Sequence, residues 1–319
     1  MIARRLPAAG LEELRRDFDV DEGDLSVDRA ALLQRVRGAF ALVADPTVPV
    51  DVELLDAAGP SLRVVANFAV GYDNVDRDAC RARGVTVTNT PDVLTNATAE
   101  LAVTLMLAAA RRLGEAERLL RAGRWQGWDP GELLGRELSH SVIGIVGLGR
   151  IGERVAELLR GFAPEGEDSP RMLYTARSER PRAEERLGLR RLALEDLVAQ
   201  ADVVTLHVPL GPETHHLVDA SLLGRFKPGS ILVNTSRGGL VDTQALVGAL
   251  RSGRLAAAAL DVFEHEPSVE PELLALENVV LVPHIGSATG RARDAMARLV
   301  AQNVKAVLAG AEPPTPVVR

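Results

Sequence analysis

One turn limits what this chain can fold into. The apolar run Val142-Ile143-Gly144-Ile145-Val146 leads straight into Gly147-Leu148-Gly149-Arg150-Ile151-Gly152, and the helical pattern Val155–Leu159 follows. Strand, G-x-G-x-x-G and helix in that order are the sequence form of a βαβ unit whose turn cradles a dinucleotide. Gly147 allows the tight turn, Gly149 lets the backbone approach a pyrophosphate, and Gly152 lets helix and strand pack closely. The helix N-terminus adds unpaired N–H groups and a positive dipole for phosphate. Such a unit belongs to a parallel sheet covered by helices, so strands and helices should alternate along the chain.

They do. Helical patterns at Leu11–Arg16, Ala30–Val36, Val52–Ala58 and Asp76–Ala82 alternate with strand-like runs near Phe18–Val20, Ala41–Ala44, Leu62–Asn67 and Val85–Thr88. Only Met1–Ala3 precede the Arg4-Arg5-Leu6-Pro7 turn, so an opening strand would be clipped or very short. A long helix is expected from Asn96 to about Leu113, with Thr95 or Asn96 as its cap and Glu100 in its first turn. A second helix spans Glu115–Ala122. Arg124–Gly135 holds Trp125 and Trp128 and has no periodicity, so it reads as a loop. Further strands are expected at Met172–Thr175, Val203–Leu206, Ile231–Asn234, Ala257–Leu260 and Val279–Leu281, with a polar loop at Pro164–Pro170. A last helix near Ala288–Ala309 ends at Gly310, and a Pro-rich tail follows. A length of 319 residues suggests about two domains.

Composition excludes several classes. Lys+Arg total 37, and since Lys227 and Lys305 are the only lysines, 35 are arginine. No single arginine is therefore informative by its presence. Asp+Glu total 44, giving a net charge of −7, which argues against a nucleic-acid binder. Cys80 is the only cysteine, so no intrachain disulfide or Cys-rich metal site can form; it is expected on a surface helix. The start MIARRLPAAG lacks the apolar run of a signal peptide. Leu101–Ala110 is too short to span a bilayer, so no membrane association and a cytoplasmic location are expected. His207 and His215-His216 lack ligand spacing, and no metal is assigned.

An NAD site carries Asp or Glu at the end of the second strand, about 20 residues past the turn, to bind the ribose 2′-OH. Here Met172-Leu173-Tyr174 ends in Thr175-Ala176-Arg177-Ser178, with no carboxylate. Arg177 can pair with a 2′-phosphate and Ser178 can donate to it, so NADP(H) is expected over NAD(H). Three later segments each follow a strand: Asn234-Thr235-Ser236-Arg237-Gly238-Gly239, Leu260-Asp261-Val262-Phe263-Glu264-His265-Glu266-Pro267 and Val282-Pro283-His284-Ile285-Gly286. In an open parallel sheet the strand C-termini form the ligand edge. An Arg, a Glu and a His are thus delivered to one crevice. Arg suits a carboxylate, His exchanges a proton near neutral pH, and a carboxylate beside it fixes its tautomer. Glu264 and Glu266 both stand available, and His265 between them reads as exposed. With a nicotinamide, these groups can reduce a 2-keto acid.

Taken together, these motifs resemble the D-isomer-specific 2-hydroxyacid dehydrogenases along essentially the whole chain. Val70-Gly71-Tyr72-Asp73-Asn74-Val75-Asp76 resembles that family's substrate loop, and Ser236-Arg237-Gly238, Glu266-Pro267 and Pro283-His284 resemble its catalytic segments. Within the family the chain is most similar to glyoxylate/hydroxypyruvate reductases, through stretches such as Gly123-Arg124-Trp125-Gln126-Gly127-Trp128. The resemblance implies two doubly wound α/β domains with parallel sheets. A Rossmann-type nucleotide domain, about 98–287, would be inserted into a flavodoxin-like substrate domain, about 1–97 plus 288–319. It implies that Arg237 binds the substrate carboxylate and keto oxygen, that amides of Val70 and Gly71 hold the carboxylate, and that His284 protonates the oxygen while Glu266 orients it. It places Thr98, Arg150, Ile151, Pro209, Thr214, Thr235, Asp261 and Gly286 at cofactor-contacting positions. It implies a homodimer in which Trp128 reaches the partner's active site. The alternatives are a 3-phosphoglycerate or D-lactate type dehydrogenase, or a nucleotide-sensing corepressor-like protein.

Overall fold

The computed structural model describes residues 1–25, 28–163 and 171–318; the expected loop at 164–170 lies outside them. The chain forms two units, Met1–Leu94 with Ser287–Arg319, and Thr95–Gly286. The second is inserted into the sequence of the first.

The first unit begins α1 (Ala8–Arg15), α2 (Arg29–Arg35), β1 (Ala41–Ala44), α3 (Val52–Ala58), β2 (Val64–Asn67), α4 (Arg77–Ala82) and β3 (Thr86–Thr88). The three strands are parallel neighbours in that order. Asp28, Asp51 and Asp76 cap α2, α3 and α4, each carboxylate accepting from an amide three residues on. These caps satisfy a donor that the helix itself cannot and so fix each start. The strand expected at Phe18–Val20 does not form. Instead Ile2 alone bridges in parallel to Glu22 and Val43, because three residues before a turn leave room for one bridging position only. Cys80 is also not where expected: it is on α4 but fully buried, and burial pushes its thiol up to about 11, so it is an inert core residue.

The second unit runs α5 (Thr95–Ala110), α6 (Leu113–Arg121), β4 (Val142–Val146), α7 (Arg150–Leu159), β5 (Arg171–Thr175), α8 (Pro181–Leu187), β6 (Leu189–Arg191), α9 (Leu194–Gln200), β7 (Val203–Leu206), α10 (Ala220–Arg225), β8 (Ser230–Asn234), α11 (Thr243–Arg251), β9 (Leu255–Leu260), α12 (Pro271–Leu274) and β10 (Val279–Leu281). Its sheet has the order β10-β9-β8-β7-β4-β5-β6 with every pairing parallel. Chain order reverses between β4 and β7, which is the switch point where such sheets bind ligands. One face packs Ile143, Ile145 and Tyr174 against Met106 of α5 and Val155 and Leu159 of α7. The other packs Val204, Leu206 and Leu232 against Leu197, Leu222 and Leu246. A Cβ on Gly144 would meet Leu197 Cδ2 at 2.5 Å and Ala201 Cβ at 2.9 Å, so that glycine lets α9 lie close.

Two helix expectations change. The cap at Thr95/Asn96 is not made, since Thr95 is already helical and the Asn96 amide donates to Glu100. The long helix stops at Ala110, short of Leu113, because Arg112 turns left-handed at φ 51°. At the N-terminal edge of the sheet, buried Asp202 accepts from Val142 N at 2.9 Å, Arg136 Nη1 at 2.5 Å and Lys227 Nζ at 2.7 Å.

The chain then returns to the first unit as α13 (Gly290–Leu308), capped by Thr289. It lies so near α1 that a Cβ on Gly10 would overlap the Ala297 backbone. The Pro-rich tail is not irregular throughout: β11 (Pro316–Val318) pairs antiparallel with β3. Its side chains are too few to show a period. No helix among the described residues is long and apolar enough to cross a membrane.

Candidate active site

The glycine turn stands at the switch point. Gly147, at φ 94°, donates to Thr175 O. A Cβ there would lie 2.6 Å from His207 O, and one on Gly152 would collide with Gly147 O. Around Gly149 nothing lies within 4 Å of a Cβ position. The turn is thus packed where Gly147 and Gly152 sit and open where Gly149 sits. Gly149 is the N-cap of α7 and offers no side-chain cap, so the first amides of that helix remain for an anion. At the same edge of the sheet, past β8, Thr235 is buried with an Oγ1 that has no partner, an unspent polar atom of the kind a bound group would satisfy. These features fit a dinucleotide. Arg177 and Ser178 are exposed past the end of β5, where the Ala176 carbonyl accepts from Arg191 at 2.8 Å.

Three neighbouring strands, β8, β9 and β10, end in the three expected segments. Past β8, Asn234 Nδ2 donates to Arg237 O at 2.8 Å and Ser236 Oγ to Val208 O at 2.6 Å, which fixes the backbone under Arg237. Past β9, Glu266 Oε1 accepts from Phe263 N at 3.0 Å. Its other oxygen lies 2.8 Å from Nδ1 of His284, past β10. A carboxylate only accepts, so Nδ1 carries the proton and Nε2 is left to exchange one. Burial would raise the Glu266 carboxyl, but the His284 hydrogen bond and charge, the Phe263 amide and the Arg237 charge outweigh it and hold it below the usual carboxylate range. His284 is held left-handed at φ 51°, an uncommon backbone for a non-glycine residue that the surrounding bonds impose. Its amide donates to Asp261 O at 2.8 Å.

Geometry separates the two glutamates. Glu264 Oε1 lies 2.5 Å from His216 Nε2, and Oε2 accepts from Thr243 N at 3.1 Å and Thr243 Oγ1 at 2.6 Å. His265 is exposed. His215, His216 and Glu264 also bring one potential ligand atom each within 4.8 Å of one another, although the sequence spacing suggested no metal. That carboxylate is already bound to protein donors.

Several positions implied by the resemblance do structural work. Asp261 is buried, and its oxygens accept from Ile285 N at 2.6 Å and Gly286 N at 2.8 Å. Burial pushes its carboxyl up to about 6 against these bonds. Thr98 Oγ1 donates to Gly286 O at 3.1 Å, and Thr214 Oγ1 to Pro209 O at 2.8 Å. Arg150 is exposed and Ile151 half-buried. In the first unit the carbonyls of Val70 and Gly71 accept from Asn89 and Asn67 at 2.8 Å each. Trp128 is 84% exposed. His207 was not expected to matter. It lies 2.9 Å from Thr205 Oγ1, and burial pushes it down to about 4, so it is neutral beside the turn. Its place at the end of β7 is the signal that could have found it.

Residues 103–286 match the model of the D-isomer specific 2-hydroxyacid dehydrogenase, NAD binding domain. A glyoxylate reductase from Thermococcus onnurineus is 47% identical over 325 residues, 100% of this chain and 95% of the relative.

The chain belongs to the D-isomer specific 2-hydroxyacid dehydrogenases.

As a 2-hydroxyacid dehydrogenase it also has solved relatives. A Thermus thermophilus protein superposes with a TM-score of 0.91 at 45% identity, covering 99% of both chains. An NADPH-dependent glyoxylate/hydroxypyruvate reductase from Sinorhizobium meliloti, solved with NADP and malonate, superposes with a TM-score of 0.84 at 37% identity, covering 99% of this chain and 95% of that one. The dehydrogenase family accounts for a nicotinamide cofactor and for the Rossmann order of the larger sheet.

Proposed function

We propose that this dehydrogenase reduces glyoxylate to glycolate and hydroxypyruvate to D-glycerate, with NADPH favoured over NADH, as a homodimer. The observation that carries the reading is the Glu266–His284 pair, set just past β9 and β10 beside the end of β8 that delivers Arg237, at the edge that holds the glycine turn. Names of the relatives support the substrates. The absence of a carboxylate at Arg177-Ser178 supports the cofactor.

When bound, reduced nicotinamide supplies a hydride to the keto carbon. The residues of the chain do the rest. Arg237 holds the substrate carboxylate through two parallel hydrogen bonds and draws charge onto the keto oxygen. His284 gives that oxygen a proton from Nε2. Glu266 keeps Nδ1 protonated and stabilises the cationic ring before transfer. Gly149, Arg150 and Ile151 hold the pyrophosphate on a turn that Gly147 and Gly152 keep tight, and Arg177 and Ser178 hold the 2′-phosphate. Thr98, Pro209, Thr214, Thr235, Asp261 and Gly286 shape the nicotinamide end. Exposed Trp128, with Leu120 and Leu134 at 61% and 68%, belongs to the dimer contact.

The test is a panel of 2-keto acids measured against NADPH and NADH with purified protein. Glyoxylate and hydroxypyruvate should consume NADPH faster than pyruvate does. Consumption of neither compound with either cofactor overturns the proposal.

A further inference from the structure

Glu264 is bound too well to be incidental, yet it touches neither His284 nor, in the proposed reaction, substrate. It lies at the meeting of three segments. One is the loop that carries Glu266. The second begins at Arg237 and ends at Thr243, the first residue of α11. The third is the turn around His216.

The second and third segments are zipped together. His216 N donates to Gly239 O at 2.8 Å, Val218 N to Leu240 O at 2.9 Å and Asp242 N to Val218 O at 3.1 Å. The first and second touch without any side chain between them. A Cβ on Gly238 would overlap the backbone of Phe263 and Glu264, so the peptide next to Arg237 rests on the peptide next to Glu264. The Glu264 side chain, which is 14% exposed, ties the loop on one side of that contact to the other two segments. One oxygen takes both donors of Thr243 and the other takes His216. The anion also sits at the N-terminus of α11, where the helix dipole favours it. Burial raises its carboxyl, and the Thr243 and His216 bonds more than offset this. Glu266 is two residues further on.

We propose that Glu264 is a positioning residue: its clasp on Thr243 and His216 sets Arg237 against the Glu266–His284 pair. The assignment rests on the reaction proposed above. Arg237 holds the substrate while His284 delivers the proton, so an error in their separation appears in turnover and in carboxylate binding but not in cofactor binding. A misplacement of about 1 Å is enough to cost roughly a hundredfold in rate.

The experiment compares wild type with Glu264→Ala, Glu264→Gln and Thr243→Val. Four quantities are measured: kcat and KM for glyoxylate, the deuterium isotope effect with labelled NADPH, and calorimetric dissociation constants for NADPH and for oxalate, an unreactive dicarboxylate. Glu264→Ala should lose about 10–100-fold in kcat/KM, raise the isotope effect, and weaken oxalate several-fold while NADPH binds as before. Glu264→Gln keeps an acceptor for Thr243 and should recover most of the loss. Thr243→Val retains the amide donor and should fall between. A Glu264→Ala protein that is merely less folded would lose active sites with unchanged KM, isotope effect and oxalate affinity, and that result overturns the proposal. So does loss of oxalate and NADPH binding in parallel. If wild type is active and Glu264→Ala matches it, only this assignment fails; a wild type inert toward both keto acids removes the proposed reaction and this assignment together.

Discussion

His284 combines a left-handed backbone with a proton-bearing ring, and this makes one substitution especially informative. Asparagine tolerates that backbone better than most residues but cannot exchange a proton near neutral pH. His284→Asn should therefore fold, bind NADPH normally and lose about 10²–10⁴-fold in kcat; retention of turnover would remove His284 from the chemistry. His207 makes a different prediction. Its native value of about 4 lies below the ordinary histidine value near 6.5. Between these limits the unfolded chain binds a proton that the native chain does not, so stability is lost as pH falls through the window. On moving from about pH 7 to pH 5 this histidine should account for about 2 kcal/mol of lost stability. His207→Gln should flatten that part of the melting-temperature profile, and an unchanged slope would contradict the assignment.

At the scale of elements, the glycine turn was legible because each glycine answers a separate geometric demand. Two substitutions separate those demands. Gly149→Ala meets open space, so it should melt like wild type yet raise the KM for NADPH by about tenfold, a methyl now standing where phosphate approaches. Gly152→Ala drives a methyl into the Gly147 carbonyl and should lower both melting temperature and cofactor affinity. Equal behaviour of the two variants would refute this division. The strands of the larger sheet were readable in the sequence because they are buried on both faces and so are continuous apolar runs. β6 was not, since of its three residues only Leu189 is buried. β11 was missed for a related reason, since a three-residue strand is defined by its partner, whereas the opening strand, expected to be clipped or very short, is the single bridging residue Ile2. The candidate site residues could be picked out by order and edge, and in the sequence only the adjoining Pro267 favours Glu266 over Glu264. Only distances show that Glu264 binds Thr243 and Glu266 binds His284. The work of Asp261 was hidden because its partners are backbone amides, which every sequence offers everywhere.

At the scale of the whole molecule, α6 has no buried residue, and Leu113, Leu120, Trp125, Trp128 and Leu134 are all more than half exposed. These are the apolar side chains that the proposed dimer would cover. Sedimentation should show a dimer, and Leu120→Glu combined with Trp128→Ala should yield monomer; a wild type that sediments as a monomer at micromolar concentration would refute the proposed dimer.

The Asp202 cluster has a consequence of another kind. Burial raises its carboxyl, but Lys227, the Val142 amide and Arg136 together hold it below the ordinary carboxylate range, so its contribution is present at neutral pH and is lost as pH falls from the ordinary carboxylate value through that lowered one. Asp202→Asn should cost about 1–3 kcal/mol, read as a lower melting temperature, with kcat unchanged. One rim of the sheet is thereby riveted by charge while the opposite rim carries the loops that meet ligands. Endurance and chemistry are assigned to different ends of the same strands. A lineage can rewrite the loops past β5, β8, β9 and β10, and with them its choice of acid and cofactor, without loosening the rivet that keeps those strands in order.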